Sequence, residues 1–318
     1  MAERLTSQLW QPAELAEIPE PHYDSAQPET AAISDGQTIK AFFQGYGTSG
    51  GEERDQLRFR ENWPGTQEEG FAELLPAQYR DIMAALPLAD YTTREGVLNL
   101  ASRLPDCFVR LDLGPRLWGG YAKATYNLQY NVSDAIHVNV HSAGAGTVVP
   151  GLVDILQASG CDEQFVTAAK TDGGSKMTAL WHIFPPSQAE KVKEFVNRHI
   201  KDPKKKPKDP LWLGTMYLKE KMLERLATEL GVKPCCFVQR EGEAVIVPSG
   251  SPYQVKILNS SMYCQSEFVS PQHMKDSIRL SFSDLLNDDR LQVKNVIFHA
   301  CKDALSVLSQ PAESSGEK

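Results

Sequence analysis

The sequence predicts a mainly β fold with α, in which short strands close into a barrel or jelly roll and helices buttress it from outside. Three observations carry that prediction. Ile136, Val138 and Val140 alternate with His137, Asn139 and His141, the period-two pattern of a half-buried strand. Four more short β-rich runs follow, at Met177–Phe184, Cys236–Gln239, Ala244–Val247 and Tyr253–Leu258. Amphipathic helical patterns interrupt these runs.

Taken in order, the first 36 residues form an N-terminal segment, with the turn-rich Asp24–Gly36 expected to be mobile. Residues 37–309 form the folded domain, and 310–318 a mobile tail. Thr48–Arg60 is mostly polar, and Trp63-Pro64-Gly65 then leads to a stretch of helical character from Phe71 to Leu86. Ser187 with Glu190 reads as a capping box ahead of Val192, Phe195 and Val196. Leu218, Met222, Leu223, Leu226 and Leu230 mark a helix closed by Gly231. A last helix carries Val293, Val296, Ile297, Ala300, Ala304, Val307 and Leu308 on one face.

The 318 residues are 41% hydrophobic and 23% charged, enough for a large core. No apolar run approaches the roughly 18–20 residues of a membrane span, and the start lacks the apolar centre of a secretory signal. The expectation is a soluble intracellular protein. Cysteines at 107, 161, 235, 236, 264 and 301 include no CxxC pair, so reduced thiols are expected. Cys235 and Cys236 are neighbours on a strand and point to opposite faces, one into the core. The net charge of −8 argues against direct nucleic-acid binding. Lys204-Lys205-Lys206-Pro207-Lys208 reads as a solvated basic loop, with nuclear import as its functional alternative.

Several strings are more specific: LPLADYTTREGVLNLASRLPDCFVRLDLGP from Leu86, ALWHIF from Ala179, GEAVIVPSGSPYQV from Gly242, EFVSPQH from Glu267 and LQVKNVIFHACKDAL from Leu291. Together they resemble the JmjC region of the lysine demethylase 3 family, from near Leu9-Trp10 to about Leu308. The resemblance implies a double-stranded β-helix that holds iron(II) and 2-oxoglutarate and demethylates the histone H3 tail at its ninth-position lysine. Members of that family also carry a zinc-finger region upstream that nothing here matches, so the resemblance implies a short paralogue or an isolated domain.

The family's metal site is a His-x-Asp pair on one strand and a second His on a distant strand, a facial triad that leaves positions open for cosubstrate and oxygen. Against that motif NLQYNVSDA, from Asn127, places Gln129 and Asn131 at the first two ligand positions. The turn Pro248-Ser249-Gly250-Ser251-Pro252 leads into Tyr253 at the third. Amide carbonyls are weak partners for iron(II), and a phenol must lose its proton to bind. The cosubstrate positions become Tyr126, with Thr125 adjacent, and Gly146, and no lysine lies between Lys123 and Lys170 to meet a dianion.

No intact catalytic residue, no metal site and no cofactor are therefore expected. His137 and His141 are read as polar residues lining the barrel, roughly 13 Å apart at 3.3 Å per residue and too distant to share an ion. His182 is read as structural. The resulting expectation is a nuclear chromatin-associated pseudoenzyme, also open to the cytoplasm, that regulates transcription by binding the histone H3 tail or a related JmjC protein. A demethylase using unconventional ligands is the enzyme alternative, and a dimer is a third role for the outer helices.

Overall fold

The computed structural model describes residues 4–17, 39–46, 70–109, 111–143, 149–174, 176–200, 209–282, 289 and 291–309. The expected mobile segments 24–36 and 310–318, the stretches 48–60 and 63–65, Gly146 and the basic run 204–208 lie outside them.

Eight strands are described: β1 (Arg116–Gly120), β2 (Thr125–Gln129), β3 (Asp134–Ser142), β4 (Met177–Ile183), β5 (Cys235–Arg240), β6 (Ala244–Val247), β7 (Tyr253–Ile257) and β8 (Ser261–Phe268). They form two antiparallel four-stranded sheets, ordered β1-β8-β3-β6 and β2-β7-β4-β5. Because side chains alternate along a strand, each sheet sends one set inward and the other outward. The inward set is aromatic, with Trp118, Tyr126, Trp181, Tyr253 and Tyr263 packed between the sheets.

The outward set of the first sheet includes Leu117, Ile136, Val138, Met262 and Cys264. These pack on Trp10, which precedes α1 (Pro12–Leu15), on Phe42 and Phe43 of α2 (Ile39–Gln44), and on α3 (Phe71–Leu74) and α4 (Pro76–Ala85). The predicted single helix over 71–86 is thus two, because Leu75 leaves helical geometry (φ −128°, ψ 56°) and Pro76, which has no N–H to donate, starts the next. A further turn of helix, α5 (Ala89–Thr92), and a 3-10 turn at Leu100–Arg103 follow.

The outward face of the second sheet meets α6 (Leu152–Ala158) and α7 (Glu163–Asp172), through Leu152, Leu156 and Val166 against Leu180, Cys236 and Val238. A fourth layer joins α8 (Ala189–His199), α9 (Glu220–Leu230), α10 (Met274–Ser281) and α11 (Val293–Leu308). Val192, Phe195 and Val196 are buried on α8 as predicted. Ser187 does not cap that helix, since a 3-10 turn over Pro186–Gln188 moves the N-cap to Gln188. Gly231 ends α9 at φ 65°, as expected. On α11 only the start of the apolar face is buried, at Val293 and Val296, while Leu305, Val307 and Leu308 are exposed.

One expectation about β3 is corrected. His137 faces the interior, but a register shift between Asn139 and His141 turns His141 to the outer face, where its ring lies 6.0 Å from that of Tyr46. Among the described residues no helix is long and apolar enough to cross a membrane.

Candidate functional site

Gln129, Asn131 and Tyr253, the three expected ligand positions, converge. β2 carries one extra residue relative to β7 between Tyr126 and Gln129, so Tyr126 pairs with Val255 and Gln129 with Tyr253. This irregularity puts Tyr126 and Gln129 on the same inner side although they are three residues apart. Asn131 lies just beyond β2, held by the Gly250 N–H donating to its carbonyl at 2.9 Å. From there Asn131 Nδ2 donates to the Tyr253 hydroxyl at 3.4 Å, and Gln129 Nε2 donates to the same oxygen at 3.1 Å.

Tyr253 is 2% exposed. Its ring stacks on Trp181 at 5.9 Å and leans on His137 at 5.6 Å. The aromatic packing continues inward: Trp118 stacks on Tyr263 at 4.2 Å and donates its indole N–H to His137 Nδ1 at 3.1 Å. Burial in this apolar setting pushes His137 down to about 3, so its imidazole is neutral at physiological pH. Gln239 of β5 accepts from Trp181 Nε1 at 2.9 Å and donates to the His137 carbonyl at 3.0 Å, which ties the two sheets together.

At the cosubstrate positions, Tyr126 is buried against Trp118, and its hydroxyl both donates to the Gly119 carbonyl and accepts from the Gly119 N–H. The phenol thus serves a neighbouring backbone unit. Thr125 pairs with Lys256 and, by strand alternation, faces the other side. His182 on β4 is buried and pushed down to about 4 by that burial, away from the aromatic interior.

Residues 209–218 close the β2 end of the barrel. Buried Asp209 accepts from the Tyr130 hydroxyl at 2.8 Å and from the Leu211 and Trp212 N–H groups, and pairs with Lys193 at 2.7 Å. Further along, Asn127 Nδ2 donates to the Gly214 carbonyl, Leu128 N–H to the Met216 carbonyl, and Gln254 bonds both backbone groups of Leu218. Gly214 has φ +55°, and a Cβ there would sit 3.4 Å from Gln129 Oε1. The string Ser133-Asp134-Ala135 is structural: Asp134, fully buried, accepts from the Ser249 and Ser270 N–H groups and meets His273 Nδ1 at 2.5 Å.

Sequence reasoning brought Gln129, Asn131, Tyr253 and Tyr126 to one place. It missed Trp118 and Tyr263, whose strands β1 and β8 were not read as strands, and the closing segment 209–218. The short apolar runs Leu117-Trp118 and Met262-Tyr263-Cys264, buried on both faces, were the signal available. Among the described residues no cluster of three His, Cys, Asp or Glu side chains could hold a metal ion.

A family model described as "JmjC domain, hydroxylase" matches residues 174–268. The chain is 33% identical to the human "Lysine-specific demethylase 3A" over 99% of its own length and 26% of that protein's. It is 35% identical to the Drosophila melanogaster "Lysine-specific demethylase 3" over 79% of the chain and 32% of that protein. A human "Probable JmjC domain-containing histone demethylation protein 2C" is 33% identical over 78% of the chain and 10% of its own length. The chain thus spans about a third or less of the relatives it matches.

The expectation that no cofactor belongs to this chain is corrected by these matches, because a JmjC hydroxylase domain and demethylase relatives imply iron(II) and 2-oxoglutarate. The residues at the three positions expected to hold that metal do not fit it: they are two carboxamides and a phenol, without an imidazole or a carboxylate, and both carboxamides donate to the phenol. The match of residues 174–268 to the JmjC model and the 33% identity along 99% of the chain make this chain a divergent member of the JmjC lysine demethylase 3 family.

Proposed function

We propose that this chain is a nuclear, chromatin-associated JmjC protein that regulates transcription by binding a protein partner, the histone H3 tail or a related JmjC protein, without oxidising methyl-lysine. The observation that carries this reading is the Tyr253 phenol accepting from Gln129 and Asn131, which ties the three former ligand positions to one another. A hydroxylase of this family needs open coordination positions that a facial triad supplies. Here the same space is spanned by side chains bonded among themselves and backed by Trp181 and His137. Among the described residues eight strands form the surrounding barrel, and its β2 end is closed by residues 209–218 through buried hydrogen bonds.

The relatives' printed names point to lysine demethylation, which directs the partner search to methylated and unmethylated histone tails. The test supplies iron, ascorbate and 2-oxoglutarate in excess to the protein with mono- and dimethylated H3 peptides. Formaldehyde is expected at the level of the protein-free control, with saturable peptide association in fluorescence anisotropy. Formaldehyde release at a rate comparable to an active relative, lost on substituting Gln129, Asn131 and Tyr253, would establish the enzyme reading instead.

A further inference from the structure

A second cluster lies on the outer side of the β2-β7-β4-β5 sheet, away from the aromatic interior. Cys161 sits in the turn between α6 and α7, after Gly160 at φ 70° and before Asp162, which occupies the N-cap of α7. Its Sγ lies 3.6 Å from the carbonyl oxygen of Cys236 on β5. Cys236 is 7% exposed beneath Leu152, Leu156 and Val166, while Cys161 is half-buried at the rim of that layer. Cys235 points away from it into solvent.

We propose that Cys161 and Cys236 form a reversible disulfide on exposure to a peroxide, with Cys161 as the attacking sulfur and Cys236 as the resolving one. The Cys161 thiolate attacks one oxygen of hydrogen peroxide, the O–O bond breaks, and the departing hydroxide takes a proton to leave as water. Cys161 is then a sulfenic acid. The Cys236 sulfur attacks the Cys161 sulfur, the S–O bond breaks, and the hydroxide leaves with the Cys236 proton as a second water. In sum, two thiols are oxidised to one disulfide and one hydrogen peroxide is reduced to two waters.

The environments divide the roles. The neighbouring Cys236 side chain and the Asp162 backbone N–H hold the Cys161 thiol below its ordinary value against the opposing effect of burial. The neighbouring Cys161 side chain, together with burial, pushes Cys236 far up, so it stays a thiol until it attacks. Closing the bond requires the sulfurs to approach to about 2.05 Å. A Cβ on Gly160 would meet nothing within 4 Å, so the turn beside Cys161 is open to solvent on that side. The link would join residues 75 apart in sequence and tie the α6–α7 turn to β5, the edge strand of its sheet.

The experiment treats the reduced full-length chain with one equivalent of hydrogen peroxide and maps disulfides by mass spectrometry after digestion without reductant. A peptide joining Cys161 to Cys236, two hydrogens lighter than the sum of its parts, is expected in the native protein and in Cys235→Ser, and is expected to be absent in Cys161→Ser. The melting temperature of the native protein should rise by several degrees and return on adding dithiothreitol. Oxidation confined to the exposed Cys107, Cys235 and Cys301, a Cys161–Cys235 link, or a rise that persists in Cys161→Ser would each overturn the proposal.

Discussion

Gln129 Nε2 lies 3.1 Å from the hydroxyl of Tyr253, its direct partner across the β2–β7 pair. Asn131 donates to the same oxygen from just beyond β2, so one phenol collects two amide donors. The three side chains form a neutral hydrogen-bonded group, with no net charge in the interior at that point. Neutral groups satisfied by one another cost far less to bury than an unpaired carboxylate would.

Tyr253→Phe removes that acceptor and keeps the ring. It is expected to lower unfolding free energy by about 1–2 kcal/mol. Tyr253→Ala also empties a ring-sized space against Trp181 and His137, and is expected to cost about 3–5 kcal/mol. Urea denaturation of both variants checks the order. A Tyr253→Ala variant more stable than the native chain would show that the phenol does not fill this site productively.

Asp209 anchors the segment that closes the barrel. Burial pushes its carboxyl up, but the hydrogen bond from Lys193, the Trp212 N–H and the Tyr130 hydroxyl outweigh it and hold the group below its ordinary 3.8. A carboxyl depressed in the folded state contributes stability that is present above the unfolded value and lost as pH falls through the folded one. Asp209→Asn should therefore cost about 2 kcal/mol at pH 7. The gap from the native chain should close as pH drops below 3.8. A gap that stays constant down to pH 2.5 would count against this role.

Much of this arrangement was legible in the sequence as short β-rich runs. Ala244–Val247 was read to its true ends, and the Tyr253 strand to within one residue. β1 was missed because Gly119 and Gly120 follow Trp118 and weaken the apolar pattern, and β8 because Ser261, Gln265 and Ser266 are buried by neighbours far away in sequence. The irregularities on β2 and β3 were illegible for a different reason. An extra residue is decided by pairing across strands, so His141 left the interior and Gln129 entered it without any local sequence mark. The exposed end of α11 shows the converse, since its apolar periodicity continues past the point where the fold offers a partner.

Asp134 should be among the positions least tolerant of change. Its two oxygens accept from backbone N–H groups of Ser249 and Ser270, which belong to separate loops, and Oδ1 also meets His273. Asp134→Asn keeps the shape but turns an amide N–H₂ toward one of those donors. The expected loss is about 2–3 kcal/mol. Faster amide exchange at both Ser249 and Ser270 should accompany it; unchanged exchange at either would show that Asp134 does not hold the two loops together.

The buried histidines set a further pH limit. Burial pushes His137 down to about 3 and His182 and His141 to about 4, against 6.5 in an unfolded chain. Between those values the unfolded chain binds protons that the folded one refuses, so stability falls as pH drops below 6.5 and the loss is complete only near the folded values. Each fully buried imbalance contributes a slope of about 1.4 kcal/mol per pH unit. His137 and His182, each 1% exposed, together give about 3 kcal/mol per unit around pH 5, with a smaller addition from the less buried His141. This window lies above the one in which Asp209 titrates, so the two effects separate along the pH axis. Urea midpoints measured from pH 7.5 to 4.5 should decline steeply, and His182→Gln, which cannot take up a proton in either state, should reduce the slope by about 1.4 kcal/mol per unit. A midpoint that is flat across this range, or an equal slope in the variant, would mean that the imidazole of His182 is protonated as readily in the fold as in the unfolded chain.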